Sequence, residues 1–192
     1  MENLYFALVD TPGFFAEIIR KFTKCRYIHV VLGVDAYLEE AYSVGRRNPA
    51  IPIISGFEKE NLQKIADKFP TAEYQVFSIP CTSEQKKAII EELQECHRRR
   101  FHYHYAILGL PFILLQKPFY QKNHYTCSSY ISKLLMKHGV CQFDKHFSLV
   151  TPKDFYDVAG SVMIFEGNIN SLLLKRRKTA DTFYWLHERQ FG

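Results

Sequence analysis

The sequence has little of what marks fibrous, metal-stabilised or membrane-spanning proteins. Its 192 residues include only nine Gly and eight Pro, too few for a collagen-like or low-complexity chain. No two cysteines form a C-x-x-C pair, which excludes a zinc finger and a thioredoxin-type motif. The longest apolar stretch, Ala106 to Leu115, is interrupted by Pro111 and is much shorter than the roughly 20 residues of a membrane span. We therefore expect no transmembrane segment.

The N-terminus also lacks the basic region of a secretory leader, and the cysteine count is odd. The five cysteines are Cys25, Cys81, Cys96, Cys127 and Cys141. An odd count without a leader predicts reduced thiols in a cytoplasmic protein. The formal net charge is +5, a small excess that gives little reason to expect a nucleic-acid partner.

What the sequence does have is enough apolar side chains for a sizeable core. Hydrophobic residues make up 47% of the chain and charged residues 23%, which excludes wholesale disorder. The length predicts a single domain over residues 1–192, with residues 166–192 as a possible C-terminal appendage.

Hydrophobic periodicity predicts a mixture of strands and helices without repeats, and therefore an α+β fold. Strands are predicted at Leu4–Val9, Ile28–Val34, Glu39–Val44, Tyr74–Ile79 and Ser161–Phe165, with Ile169–Leu174 as a hairpin partner of the last. Helices are predicted near Gly13–Thr23, Glu58–Phe69, Thr82–Arg100, Tyr105–Leu115, Cys127–Lys137 and Thr151–Ala159. A basic loop is predicted at Gly45–Pro52.

Cys127 is the most informative position for chemistry. It begins a predicted helix that Thr126 is placed to cap. A thiol at a helix start lies at the positive end of the helix dipole, which favours the nucleophilic thiolate. The alternative is a half-buried thiol with only a packing role.

A nucleophilic cysteine needs a base, and His29 heads a strand from which its ring can point past the sheet edge. The alternative is a core histidine bonded to backbone. If the next turn centres on Ala36, His29 pairs with Ser43, whereas a slip of one residue brings Glu40 round. Ser43 is therefore the first candidate to orient the imidazole and Glu40 the second. His146 and His138 are weaker candidates for the base.

Three segments together resemble a known family. They are His-Val-Val-Leu-Gly-Val at 29–34, Ala-Tyr-Ser-Val-Gly at 41–45 and Tyr-Thr-Cys-Ser-Ser-Tyr-Ile at 125–131. The chain from about Tyr5 to Phe165 resembles the circularly permuted NlpC-like (YiiX-like) branch of the papain superfamily of cysteine hydrolases. In that branch the histidine precedes the cysteine, as His29 precedes Cys127 here.

The resemblance implies a permuted papain-like fold, with a small antiparallel sheet packed against the nucleophile helix. It implies Cys127 as nucleophile, His29 as general base and a polar third residue, for which relatives often carry Glu, His or Asn where this chain has Ser43. The implied function is a thiol-dependent peptidase or amidase that acts on an amide or related acyl bond. A peptidoglycan-type peptide is the first expected substrate, and no cofactor is implied.

An acyltransferase or lipid amide or ester hydrolase, resembling lecithin retinol acyltransferase, is the alternative function. Apolar residues for an acyl groove are then found at Ile107, Leu108, Leu110, Phe112 and Ile113. The oxyanion would be held by the Cys127 N–H and by a tyrosine hydroxyl. Similar proteins carry an aromatic hydroxyl before the cysteine, so Tyr105 and Tyr103 are candidates, with aromatic packing as their alternative role.

Two other interpretations compete with thiol chemistry. Cys96, His97, His102 and His104 crowd one segment, but no carboxylate lies nearby, so we expect no metal site. Basic runs at His97–Arg100 and Lys175–Lys178 leave a non-catalytic basic binding module as a second alternative. The sequence leaves the oligomeric state open.

Overall fold

The computed structural model describes residues 1–12, 16–17, 20, 25–48 and 51–179. The helix predicted at Gly13–Thr23 lies largely outside these residues, although Ala16, Glu17 and Arg20 are helical. Arg20 forms an ion pair with Asp10, with 2.6 Å between its nitrogen and the carboxylate oxygen.

A six-stranded antiparallel sheet organises the described residues. Its strands are β1 (Glu2–Asp10), β2 (His29–Gly33), β3 (Ala41–Asn48), β4 (Ile51–Lys59), β5 (Glu73–Cys81) and β8 (Val162–Asn168). They lie in the order β4-β3-β2-β1-β5-β8. Two short strands, β6 (His104–Tyr105) and β7 (His124–Tyr125), form a separate parallel pair.

Helices cover both faces of the sheet, so the described chain is α+β, as predicted. They are α1 (Leu62–Lys68), α2 (Ser83–Arg98), α3 (Leu110–Leu114), α4 (Cys127–Lys137) and α5 (169–179). Single 3₁₀ turns occur at Arg100–His102, Ile107–Gly109 and Phe147–Leu149, and a longer one at Pro152–Asp157. Among the described residues, no helix is both long and apolar enough to cross a membrane.

The strand β1 lies in the middle of the sheet, and this position explains why its sequence is almost continuously apolar. Leu4, Phe6 and Leu8 point into a larger core beneath α2 and α4. Ala7 and Val9 point into a second core beneath α1 and α5. Because successive side chains of a strand face opposite sides, a strand covered on both faces needs apolar residues throughout.

The predicted basic loop at Gly45–Pro52 is wrong over most of its length. The strand β3 continues to Asn48 and pairs with β4 from Tyr42 opposite Lys59 to Asn48 opposite Ile51. Pro52 is compatible with β4 because this strand lies at the edge of the sheet, where proline is tolerated. The helix predicted from Glu58 therefore begins only at Leu62, where the Asn61 side chain caps it.

The C-terminal prediction is also corrected. Residues 169–179 are helical, not the hairpin partner of β8. Ile169, Leu172 and Leu173 recur at helical spacing and are buried in the second core, while β8 pairs with β5 instead. The described part of the predicted appendage, residues 166–179, thus comprises the end of β8 and a helix packed on the second core. Residues 180–192 lie outside the described part, and the division into a domain and an appendage stays a prediction.

The helices predicted at Tyr105–Leu115 and Thr151–Ala159 are shorter than expected. The first is broken into the turn Ile107–Gly109 and the five-residue α3, with Pro111 in its first turn. The second is the 3₁₀ segment Pro152–Asp157, at whose start the Asp154 carboxylate accepts from the N–H and the hydroxyl of Thr151.

Candidate active site

Helix α4 begins at Cys127 because the residues around it form a capping box. The Ser129 N–H donates to Thr126 Oγ1 over 3.1 Å, and the Thr126 N–H donates to Ser129 Oγ over 2.8 Å. Gly139, with φ of +66°, follows the end of the helix. The predicted bounds of α4 are confirmed, and the thiol lies in the first turn, where the helix dipole favours an anion.

The start of α4 lies against the start of β2. The buried face of the helix, with Ile131 and Leu135, packs into the larger core under the sheet. Cys127 Sγ lies 4.0 Å from the carbonyl oxygen of Ile28, the residue before His29. The cysteine is 3% exposed, so the thiol occupies a nearly dry site.

His29 is brought together with two polar side chains on its other side. Its Nε2 lies 3.1 Å from Ser43 Oγ and 3.3 Å from Glu60 Oε1. The Ser43 hydroxyl donates a hydrogen bond to the Glu60 carboxylate. Because that hydroxyl has given its hydrogen to Glu60, its oxygen can accept from the Nε2–H of His29. This arrangement leaves Nδ1 as the ring nitrogen for the thiol.

The strand register behind this contact differs from the predicted one. Gly33 pairs with Ala41, and the same register continued places His29 opposite Gly45 instead of Ser43. The turn is longer than expected because the Asp35 carboxylate accepts three backbone N–H groups, those of Tyr37, Glu39 and Glu40. Ser43 reaches His29 diagonally from the same face.

Gly45 leaves room for the imidazole. A Cβ built at Gly45 would lie 3.1 Å from His29 Cε1 and 3.2 Å from Ser43 Oγ. Both separations are tighter than ordinary van der Waals contact, so a side chain here would push the ring away from its partners.

We expect Gly45→Ala to lower the free energy of unfolding by about 1 kcal/mol, because the added methyl overpacks the site. The alkylation rate of Cys127 at neutral pH should fall severalfold as the imidazole shifts. Thermal unfolding and mass-spectrometric alkylation measure the two effects. Gly109→Ala is the matched control, because its nearest contact is 3.6 Å. Equal alkylation rates in both variants would show that Gly45 does not position the ring.

Glu60 was missed at the level of sequence. It follows β4, and its N–H donates to Ala41 O over 2.8 Å, which continues the β3–β4 ladder by one residue. Period-2 alternation then places Glu60 on the face of Ala41 and Ser43. Glu60 could have been identified from the sequence only if β4 had been recognised as a strand.

Glu40, the second predicted orienter, does not contact His29. Its carboxylate accepts from the Tyr42 hydroxyl at 2.8 Å and from Gln94 Nε2 at 3.2 Å. The register puts Ser43 on the histidine face, and Glu40 is displaced to the other side by the same period of two.

Burial and charge oppose each other in the pair formed by His29 and Cys127. Burial raises the pKa of the Cys127 thiol. The charge and hydrogen bond of His29, together with the N–H groups of Val30 and Ser128, lower this pKa by more than burial raises it, so the net pKa is lowered. Burial also disfavours the imidazolium, yet the Cys127 thiolate and the Glu60 carboxylate raise the pKa of His29 above its ordinary value. The two shifts favour a thiolate–imidazolium pair.

Glu60 stays ionised in this environment. Burial works against its charge, but hydrogen bonding and charge from His29, followed by the Ser43 hydroxyl, lower the pKa of the carboxyl below its ordinary value. The side chain of Glu60 is 15% exposed and that of His29 is 24% exposed. The carboxylate therefore supplies the negative charge that Ser43 lacks.

Tyr103, one of the two predicted oxyanion donors, is engaged elsewhere. Its hydroxyl lies 3.0 Å from Cys96 Sγ, and its ring packs against Phe57 and Tyr130. Burial and the Cys96 contact raise the pKa of Tyr103. These contacts correspond to the packing role that the sequence left open.

Tyr105, the other predicted donor, lies on β6 and pairs with Tyr125, two residues before Cys127. It is partly buried against the larger core, and its role as a donor stays a prediction. The backbone N–H of Cys127 belongs to the first turn of α4, where N–H groups have no acceptor within the helix.

The competing histidines do not converge on one point. The rings of His97 and Tyr42 form an edge-to-face pair with 5.9 Å between centroids, and His102 Nδ1 lies 3.3 Å from Arg99 O. His104 lies beside His124, with 5.0 Å between ring centroids. Within the part of the chain that the structure describes, no group of three metal-ligating side chains is close enough to hold an ion.

The two weaker candidates for the base are bound to other partners. His138 Nε2 lies 2.7 Å from Glu92 Oε2, and His146 Nδ1 lies 2.8 Å from Ser148 Oγ. Of the histidines considered from sequence, His29 is the one whose described contacts include Cys127.

A scan against models of known protein families finds no match for the chain, and a search of curated proteins finds no relative.

Proposed function

We propose that this protein is a thiol-dependent acyl hydrolase or acyltransferase, with Cys127 as nucleophile, His29 as general base and Glu60 as the residue that positions His29. The observation that carries the proposal is the placement of one imidazole between a thiol at a helix start and a carboxylate–hydroxyl pair. A permuted papain-like arrangement of sheet and nucleophile helix is part of the same proposal, supported by the sequence resemblance and the chain order of His29 and Cys127.

In the first step, the Cys127 thiolate attacks the carbonyl carbon of an amide or ester. The carbonyl oxygen becomes an oxyanion beside the first turn of α4, where the Cys127 N–H is available as a donor. When the bond to the leaving group breaks, the imidazolium of His29 gives its Nδ1 proton to the departing amine or alcohol. A thioester on Cys127 and a neutral imidazole remain.

In the second step, the neutral His29 takes a proton from the attacking acceptor. Water as acceptor makes the protein a hydrolase, and an amine or alcohol makes it an acyltransferase. The thiolate leaves, and the His29 proton restores the ion pair. Glu60 stabilises the imidazolium in both steps and holds Nε2, which keeps Nδ1 turned to the sulfur.

Glu60 also accounts for Ser43, which stands where relatives of the resembled family often carry a charged or amide residue. The Ser43 hydroxyl links the imidazole to the carboxylate of Glu60, the residue that follows β4. Charge and orientation are thus supplied together by two residues instead of one.

The first substrate class in this proposal is a peptide amide of the peptidoglycan type, and the resemblance is what supports it. A lipid amide or ester is the second class. Ile107 and Leu108, predicted for an acyl groove, are 49% and 68% exposed, so these two side chains face solvent instead of lining a closed groove.

An acyl-enzyme experiment tests the proposal without knowledge of the natural substrate. We expect p-nitrophenyl acetate to release p-nitrophenolate and to leave one acetyl group on the peptide that contains Cys127, as mass spectrometry reports. Cys127→Ala should lose both the rapid initial release of p-nitrophenolate and the acetylation, whereas Cys141→Ala should keep both. Acetylation spread over several thiols, or none at Cys127, would contradict the proposed nucleophile.

A further inference from the structure

The segment that joins β6 to β7, residues 106–123, forms an ordered excursion (hereafter the apolar excursion). Its two ends are held together by the parallel pairing of β6 and β7, and the Ala106 N–H donates to Tyr125 O over 3.0 Å. Within it, the rings of Phe112 and Phe119 stack with 4.5 Å between centroids. The Phe119 N–H donates to Ser148 Oγ over 3.3 Å, which ties the excursion to the body of the domain.

Aliphatic side chains of the apolar excursion face solvent. Ile107 is 49% exposed, Leu108 68%, Leu114 52% and Leu115 64%. None of the residues of α3 within the excursion is fully buried. Solvation of aliphatic surface carries a free-energy cost that burial would remove, and exposed clusters of this kind mark contact surfaces.

The sequence that contains this excursion carries charge of one sign. From Cys96 to Phe143 the sequence has seven Lys and Arg residues and no Asp or Glu, so the rest of the chain carries a net charge of −2. Lys117 and Lys122 lie in the apolar excursion itself, and both are exposed. Along this stretch of the chain, the exposed aliphatic side chains are therefore accompanied by cations and by no carboxylate.

We propose that the apolar excursion docks on the surface of an anionic lipid bilayer. Ile107, Leu108, Leu114 and Leu115 would enter the boundary between headgroups and acyl chains, while Lys117 and Lys122 meet the anionic headgroups. The proposal goes beyond the thiol chemistry above and does not depend on it. Since Tyr125 roots the excursion two residues before Cys127, docking also brings the start of α4 towards the membrane.

An anionic bilayer fits this surface better than a nucleic acid or a second copy of the chain. A nucleic acid would meet the cations but would leave the aliphatic side chains without a favourable contact, since single-stranded nucleic acids stack on aromatic rings. A second copy of the same face would bring Lys117 and Lys122 towards their own counterparts. An anionic bilayer complements both the apolar and the charged groups.

Vesicle co-sedimentation tests the apolar contribution. The probes are vesicles of phosphatidylcholine alone and of equal parts phosphatidylcholine and phosphatidylglycerol, and the protein carries Cys127→Ala so that no acyl transfer contributes. We expect binding to the anionic vesicles, weakened by salt. Adding Leu108→Ser and Leu115→Ser should weaken binding at least about tenfold. Leu174→Ser, at a leucine 56% exposed on α5, should leave it unchanged.

A second pair of variants tests the charges. Lys117→Gln with Lys122→Gln should weaken binding to anionic vesicles about tenfold and leave binding to neutral vesicles unchanged. Lys64→Gln with Lys87→Gln, at exposed lysines elsewhere, is the matched control.

Four results would each overturn the proposal. They are no binding to anionic vesicles, equal binding by the Leu108/Leu115 variant, preferred binding of a single-stranded oligonucleotide, and a dimer in solution that the leucine variants disrupt. Because the protein carries Cys127→Ala, none of these results bears on the proposed nucleophile.

Discussion

Replacement of His29 by alanine should raise the pH at which Cys127 becomes reactive by about 2 units and slow its alkylation at neutral pH about 100-fold. In the folded protein, burial raises the pKa of this thiol, and the imidazolium of His29 is the largest influence that lowers it. Without the imidazolium, burial prevails, and the thiol stays protonated through the neutral range. Mass-spectrometric alkylation across a series of pH values measures the shift.

The midpoint of the pH profile is the decisive quantity in this experiment, because restricted access to a buried thiol slows alkylation equally at every pH. His102→Ala, at an exposed histidine, should leave the midpoint unchanged. Thermal unfolding of both variants verifies that each is folded at the temperature used. An unchanged midpoint in folded His29→Ala would remove His29 from the account.

Glu60→Gln should lower the rate of Cys127 acylation by p-nitrophenyl acetate about 100-fold, while the fold is retained. The amide has nearly the shape of the carboxylate but carries no charge to stabilise the imidazolium. Since Glu60 raises the pKa of His29, its loss lowers that pKa. The basic limb of the pH–rate profile should therefore move to lower pH.

A purely structural role for Glu60 would change stability without moving this limb. Glu58→Gln is the matched control, because Glu58 lies two residues away and pairs with Arg47 at 2.9 Å instead of with His29. Glu60→Asp should recover part of the rate, since it restores the charge at a longer distance from Nε2. Equal profiles for Glu60→Gln and Glu58→Gln would contradict the positioning role.

The elements that could be predicted from sequence are those whose local signals agree with their tertiary setting. Helix α4 has a capping residue, an apolar face and a terminal Gly139, and its bounds are confirmed. The strand β1 is apolar enough to be recognised without any partner. In both cases the signal lies within the element itself.

Prediction of secondary structure from the sequence failed where tertiary interactions decided the conformation. Strand β4 contains Pro52 and Gly56, which weaken its local preference, and its pairing with β3 at the sheet edge overrides them. Residues 169–174 have strand-like composition, but burial of Ile169, Leu172 and Leu173 selects a helix.

The residues of the candidate site also divide into those with a local sequence signal and one without. Cys127 and His29 each had a local signal, and the structure brings them together with Ser43 despite a different strand register. Glu60 had none, because a carboxylate after an unrecognised edge strand reads as an ordinary surface residue. Its contact with His29 depends on the pairing of β3 with β4, which is set by the fold as a whole.

The central claim is that Cys127 is held as a thiolate by its surroundings, and alkylation of the unaltered protein tests it most directly. Iodoacetamide labelling of all five thiols across pH should give Cys127 a midpoint below the ordinary thiol value of about 8.5. Burial raises the pKa of Cys25 and of Cys81, and raises that of Cys141 to about 11, so these thiols should respond only at higher pH. A Cys127 midpoint at or above those of Cys25, Cys81 and Cys141 would contradict the account.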